Sequence, residues 1–180
     1  FLGYKDGFID QYTNGQVQRI EFPELQDRII FFMMADQTNS IWLCQNGLYG
    51  IYRLSEEGQL KYYGPEQGLT TNSIVIRQNA EGTIFLGGLG NDNYLFEYDP
   101  VEDRFNNRSN ALVIDEQVSI SVNDLEFGND NDVWLGTNDG LYHFESNVIT
   151  KVPLPIEQNP LVIKSLSKHN EILWIGANVG

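Results

Sequence analysis

The feature that most limits what this chain can become is one ten-residue stretch, Val133-Trp134-Leu135-Gly136-Thr137-Asn138-Asp139-Gly140-Leu141-Tyr142, together with four weaker copies of it. The copies are Phe1-Leu2-Gly3 with Gly7-Phe8, Ile41-Trp42-Leu43-Cys44 with Gly47-Leu48-Tyr49, Ile84-Phe85-Leu86-Gly87 with Tyr94-Leu95, and Leu173-Trp174-Ile175-Gly176. Their central aliphatic residues, Leu2, Leu43, Leu86, Leu135 and Ile175, stand 41, 43, 49 and 40 positions apart. Each copy spells a hairpin: a bulky aromatic beside a branched aliphatic, a glycine, a polar turn, then Gly-Leu or its equivalent. The aromatic offers a large apolar surface to bury between sheets, and the glycine permits close backbone approach. Asn138-Asp139-Gly140 tolerates the positive φ that tight hairpins need. Cys44 occupies the glycine place, so it reads as a small buried filler and not a reactive thiol.

Between copies the chain keeps writing strands. Val17-Gln18-Arg19-Ile20 alternates apolar and polar residues, the mark of a half-buried strand, and Leu60-Lys61-Tyr62-Tyr63 repeats its role. Ile29-Ile30-Phe31-Phe32-Met33-Met34 is a continuous apolar run, too short and too rich in aromatic and branched residues for a helix, and is expected as a strand buried on both faces. Ser73 to Arg77, Ser119 to Phe127 and Leu161 to Leu166 hold the equivalent place later on, separated by breakers such as Gly64-Pro65 and Pro153, Pro155 and Pro160. A strand-rich period of about 40 to 45 residues is the range of β-propeller blades. The expectation is an all-β chain whose residues 1–180 form about four four-stranded blades, with the Trp-Leu-Gly strands near 1–3, 41–44, 84–87, 133–136 and 173–176. Because the chain begins and ends inside a repeat, an arc of a larger ring is the simpler reading than a closed four-bladed one.

Composition narrows the function classes. The formal net charge is −14 with only 11 Lys and Arg, scattered along the chain, which argues against a nucleic-acid surface. One cysteine gives no disulfide framework. No apolar run approaches the roughly 20 residues needed to cross a bilayer as a helix, and Phe1-Leu2-Gly3-Tyr4-Lys5 does not read as a signal peptide.

The repeat consensus resembles the two-component regulator propeller repeat. It runs from an inner strand through a Gly or Asn turn to Ile/Val-Trp-Leu/Ile-Gly-Thr and then Gly-Leu-Tyr-x-Phe/Tyr. The clearest carriers are Val133 to Phe144, Gln67-Gly68-Leu69-Thr70-Thr71-Asn72-Ser73-Ile74, and Glu81-Gly82-Thr83-Ile84-Phe85-Leu86-Gly87. Cys44, Phe85 and the long Gly87 to Asn93 turn depart from the pattern. The resemblance implies the periplasmic sensor half of a hybrid two-component histidine kinase of the kind found in Bacteroidetes, with rings commonly seven-bladed. It also implies a ligand derived from polysaccharide breakdown, homodimerisation, and the remaining blades and the kinase as partners within the parent protein. The repeat itself carries over no catalytic or ligand residue.

Chemistry read from the residues alone is sparse. Asn129-Asp130-Asn131-Asp132 and Asn91-Asp92-Asn93 gather oxygen atoms but lack the ordered ligand set of a calcium loop, and are expected as solvated turns. His143 and His169 have no nucleophile at recognisable spacing and are expected on the surface. No catalytic residue, metal ligand or cofactor is therefore assigned. Recognition remains, at the loops where inner strands begin and end, and the candidates there are Arg28, Asn72, Arg77, Asn123, Asp124 and Lys164. Trp42, Trp134 and Trp174 are expected in the core between blades, with Trp134→Ala costing about 3 to 5 kcal/mol. A propeller lyase or glycosidase, and a protein-binding scaffold, are the alternatives to a sensor.

Overall fold

The computed structural model describes residues 2–3, 6–26, 29–45, 47, 49–109, 119–129, 132–156 and 161–178. The strands follow one another as antiparallel meanders. β1 (Leu2–Gly3), β2 (Asp6–Thr13) and β3 (Gln16–Gln26) make the first sheet, and β4 (Ile30–Ala35), β5 (Ile41–Gln45), β6 (Ile51–Leu54) and β7 (Leu60–Tyr63) the second. A third meander is β8 (Asn72–Gln78), β9 (Ile84–Gly90), β10 (Leu95–Asp99) and β11 (Arg104–Asn107). The fourth is β12 (Ile120–Phe127), β13 (Val133–Thr137), β14 (Gly140–Glu145) and β15 (Val148–Val152), and β16 (Ile163–His169) pairs with β17 (Ile172–Ala177). The expected blades are thus three complete meanders flanked by two partial ones. The third and fourth join because the tail of β9 runs on beyond its own blade, placing Leu89 opposite Ser121 and Gly90 opposite Ile120.

One irregularity recurs in the inner strands. β4, β8, β12 and β16 each carry a register shift, after which Phe32 faces Cys44, Val75 faces Gly87, Asp124 faces Gly136 and Ser165 faces Gly176. The extra residue is Phe31, Ile74, Asn123 or Lys164, and such bulges bend and twist a strand locally. The motif glycine lies opposite the bulge for a steric reason. A Cβ on Gly87 would overlap the Val122 side chain, and one on Gly136 the Ile163 side chain, each on the next inner strand. Cys44 fills its place with full burial, as expected. The Ile29 to Met34 run forms β4, but Ile29 and Phe31 are about half exposed. Burial on both faces therefore fails at the strand entry and at the bulge.

Apolar clusters fill the spaces between successive sheets. Ile9, Leu25, Leu43 and Leu54 lie between the first and second sheets, and Trp42, Tyr63, Ile76, Leu86, Phe96 and Phe105 between the second and third. Val75, Leu95, Val122, Leu135 and Tyr142 lie between the third and fourth. Trp42 is fully buried, with the rings of Tyr98, Tyr63 and Phe105 at 5.1, 5.2 and 5.8 Å between centroids. Trp134 is half-buried and Trp174 is 62% exposed. The difference tracks what stands against each ring. Tyr98 on β10 and Phe105 on β11 close over Trp42, only β16 and β17 follow Trp134, and no described strand follows Trp174. The expected core position holds fully for Trp42, in part for Trp134, and fails for Trp174.

Candidate recognition face

The two ends of the sheets differ in regularity. One end carries the β4–β5, β8–β9 and β12–β13 hairpins, and the opposite end carries the turns between β5 and β6, β9 and β10, and β13 and β14. In the fourth blade this last turn is short, with Thr137 directly opposite Gly140. In the second and third blades it is enlarged.

The enlarged turn of the second blade corrects the assignment of its repeat. The sequence offers Gly47-Leu48-Tyr49 and Gly50-Ile51-Tyr52 in tandem, and the first was expected to match Gly140-Leu141-Tyr142. Register selects the second. Leu135 faces Tyr142 and Trp134 faces His143, whereas Leu43 faces Tyr52 and Trp42 faces Arg53. Gly50 and Gly140 share a positive φ, 124° and 112°, so each takes the glycine-requiring corner. The Gly47-Leu48-Tyr49 copy is therefore additional sequence ahead of the turn glycine, and Tyr49 is 60% exposed.

Tyr49 and Gly50 dock at the start of β8. Tyr49 forms an antiparallel bridge with Asn72, and the Gly50 N–H donates to the Thr71 carbonyl at 3.0 Å. From the other side Leu89, 43% exposed, pairs with Asn72 across β8 and β9. The Leu89 N–H donates to Thr71 Oγ1 and that hydroxyl donates to the Leu89 carbonyl, both at 3.0 Å, while Asn93 Nδ2 donates to the Thr70 carbonyl at 2.6 Å. A row of directly opposed residues results: Tyr49, Asn72, Leu89 and Ser121. Asn138 continues it, since its N–H donates to the Ser121 carbonyl at 3.1 Å and its Oδ1 accepts from the Ser121 N–H at 2.7 Å. Within this row the Asn72 Oδ1 is buried and has no hydrogen-bond partner. Tyr49 and Leu89 escaped the sequence reading because one sat inside an apparent repeat copy and the other in a glycine-rich turn.

The other sequence candidates fall elsewhere. Arg28 lies outside the described residues. Arg77 Nη2 meets Asp124 Oδ1 at 2.9 Å, and its guanidinium lies over the Phe32 ring, 4.9 Å from the centroid. Asp124 also accepts the Leu166 N–H at 2.9 Å and its neighbour Leu125 N–H at 3.0 Å. Asn123 Nδ2 donates to the Ile163 carbonyl at 2.8 Å. These polar groups link β4, β8, β12 and β16 side by side. Lys164 is exposed on the β16 bulge. Among the described candidates Asn72 lies in the row, and Asn123 touches it, its Oδ1 accepting from the Ser121 hydroxyl at 3.3 Å.

The hairpin end is rich in charge, and its cations Arg53 and Lys61 are paired. Arg53 and Lys61 are direct cross-strand neighbours, a repulsive placement of like charges. Asp36 answers Arg53 at 3.2 Å, and Asp103 contacts Lys61. Asp103 also accepts from the Tyr63 and Tyr98 hydroxyls, both at 2.6 Å. Partial burial pushes the Asp103 carboxyl up, but the hydrogen bonds from Lys61, Tyr63 and Tyr98 outweigh it and hold the pKa at about 2. Arg53, Lys61, Tyr63 and Asp103 line a groove of about 340 Å³ together with Glu56 and Glu57. His143 departs from the expected surface histidine: it is half-buried, its Nε2 meets Asp132, and its ring stacks on Trp134 at 4.1 Å. Among the described residues no group of three His, Cys, Asp or Glu side chains is placed to hold a metal ion.

No protein-family model and no curated protein sequence matches this chain. Solved structures do. An extracellular domain assigned to the hybrid two-component system BT4673 of B. thetaiotaomicron superposes with a TM-score of 0.71 at 20% identity, covering 97% of this chain and 24% of that one. The corresponding domain of BT3049 gives a TM-score of 0.65 at 18% identity, over 94% of this chain and 23% of that one. Virginiamycin B lyase from Staphylococcus aureus gives 0.72 at 18% identity, over 95% of this chain and 56% of that one. The chain is a segment of a β-propeller. It spans about a quarter of the sensor domains it resembles and about half of the lyase. Within the propeller the irregular loops meet at the second and third blades, and insertions in repeat architectures map to loops on one face, often the binding face.

Proposed function

We propose that this propeller segment belongs to the extracytoplasmic, periplasmic part of a two-component sensor, and that it recognises a glycan-derived ligand without catalysing its conversion. The observation that carries the reading is the likeness, over nearly the whole chain, to extracellular domains of two-component systems. The repeat resemblance, drawn from Val133 to Phe144 and Gln67 to Gly87, points to the same class independently. Ligand occupancy would reach a kinase in the parent protein by shifting the relative population of two arrangements, in a homodimer. The remaining blades and the kinase are partners on this reading. Among the described residues no helix is long and apolar enough to cross a membrane. The deciding experiment places the chain in its parent receptor and measures kinase-dependent transcription against fractionated oligosaccharide pools. A response to one pool, with that pool recovered chemically intact after incubation with the purified chain, is expected. Unchanged transcription with every pool sinks the reading.

A second reading, a propeller lyase, is favoured by the likeness to virginiamycin B lyase, for which a His-to-Ala variant is described as catalytically inactive. His143 beside Asp132 is the pair this chain would offer. Turnover of an offered substrate that His143→Ala abolishes would favour the enzyme.

A further inference from the structure

We infer that Asn72, with Tyr49 and Leu89 on either side, forms a subsite for a neutral sugar ring, in which Tyr49 covers an apolar face of the ring and the Asn72 amide oxygen accepts a hydroxyl. The inference rests on the glycan reading above and names where that reading is realised.

Three observations carry it. The first is convergence. The chain departs from its repeat at two turns of this end, the Gly47 to Tyr49 insertion and the β9 extension through Gly90, and both meet the same residue, since Tyr49 bridges Asn72 and Leu89 pairs with it. Insertions in repeat proteins map to loops on one face, often the binding face. The second is the unpartnered Asn72 Oδ1. A buried acceptor without a donor costs free energy in the folded state, and a ligand hydroxyl that supplies the donor breaks no internal bond to do so. Meeting the ligand requires the amide to turn about its terminal torsion, which is broad. The third is composition. Tyr49 is 60% exposed and Leu89 43%, and the row that holds them runs on through Ser121 and Asn138 without a carboxylate or a cation. A rigid aromatic beside an amide and a hydroxyl suits a neutral polyhydroxylated ring. With a net charge of −14 the chain repels anionic ligands.

The test is an NMR titration of the isotope-labelled chain with a panel of neutral methyl hexopyranosides. Saturable shifts centred on the Asn72 side-chain amide and the Gly50 and Leu89 backbone amides are expected with at least one glycoside. Tyr49→Ala and Asn72→Leu each weaken that binding by about tenfold, the scale of a lost ring contact or hydrogen bond. Tyr12→Ala, an exposed tyrosine on β2, leaves it unchanged, and preserved amide dispersion establishes that the variants fold. Shifts centred elsewhere, an absence of saturation across the whole panel, or wild-type binding by Tyr49→Ala overturns the subsite. The functional reading fails separately. A parent receptor that responds to glycans regardless of Tyr49→Ala and Asn72→Leu keeps the sensor and loses the subsite. Saturation at Asn72 in a receptor silent to every pool does the reverse.

Discussion

Arg77 and Asp124 stand 47 residues apart in the sequence and 2.9 Å apart in the fold. The same carboxylate takes the Leu166 N–H from 42 residues further on, so a single aspartate joins three successive inner strands, β8, β12 and β16. Phe32 extends the chain to β4 through the ring face under the Arg77 guanidinium. Apolar packing holds neighbouring sheets together, but it is non-directional. Hydrogen bonds from one inner strand to the next add the directional restraint that sets how far each blade rotates from the one before.

Asp124→Ala is therefore expected to cost about 2 to 4 kcal/mol, because it leaves the Leu166 and Leu125 N–H groups without their acceptor and Arg77 without its partner. Arg77→Met should cost only about 1 kcal/mol, since the guanidinium is partly solvated and the carboxylate keeps its backbone donors. Urea denaturation of the two variants checks the ranking. Equal losses would show that the bond to Leu166 adds nothing.

Trp42→Ala should cost about 3 to 5 kcal/mol, as large buried aromatics do, and Trp174→Ala less than about 0.5 kcal/mol, as exposed positions do. Trp134→Ala, for which the repeat by itself predicts the full cost, should fall between them because its ring is only half-buried. Thermal melts of the three variants decide the order. A Trp174 loss as large as that of Trp42 would contradict its exposure.

The Asp103 carboxyl, held at about 2 against an ordinary 3.8, makes stability depend on acid. A group with a depressed folded pKa contributes stability that is complete above its unfolded value and is lost as pH falls through the folded one. Denaturation midpoints should thus drop between about pH 4 and pH 2, and Asp103→Asn should flatten that part of the profile. Solvent trims the size of the effect, because the Asp103 side chain is partly exposed. Asparagine keeps the turn, since it tolerates the φ of 51° found at this position. A profile unchanged by the substitution would assign the acid sensitivity to other carboxylates.

Gly50 and Gly58 both adopt positive φ, yet only one is enclosed. Ala at either carries the strain of a left-handed residue, about 1 to 2 kcal/mol. At Gly50 its Cβ would also overlap the Tyr63 carbonyl oxygen and the Tyr62 ring, whereas at Gly58 nothing lies within 4 Å. Gly50→Ala should accordingly lower the melting temperature well beyond Gly58→Ala. Equal shifts would mean that the β5–β6 turn yields without cost.

Burial pushes the Cys44 thiol far above its ordinary range, and a thiol that stays protonated is a poor nucleophile. A disulfide exchange reagent at neutral pH should leave the native chain unmodified and label it once denatured. Labelling at the same rate in both states would place Cys44 at the surface.

Much of the architecture could be read from residue order. The 40 to 49 residue spacing of the aromatic-aliphatic-glycine hairpins implied the blades, and the motif glycine implied a close backbone approach, with Cys44 a small buried filler in its place. The site was less legible. Asn72 was chosen for its position at a strand start, but Tyr49 was hidden inside Gly47-Leu48-Tyr49, which copies the motif as well as Gly50-Ile51-Tyr52 does. Pattern cannot rank two tandem copies. Pairing with β5 can, because a strand has one register that sets Tyr52 opposite Leu43 and still lets Gly50 take the turn. Arg77, Asn123 and Asp124 looked like free polar residues for a related reason: their partners lie about 40 residues or more away, and the periodicity that sets the blades does not specify which side chains meet between them.

What the sequence by itself determined is the local grammar, which residues form strands and which residue types can turn between them, since these follow from side-chain alternation and backbone sterics within a few residues. What only the tertiary structure decided is what lies against each repeat. Trp42, Trp134 and Trp174 occupy the same place in the hairpin and range from fully buried to mostly exposed, because burial belongs to the neighbour that covers a residue and not to the residue.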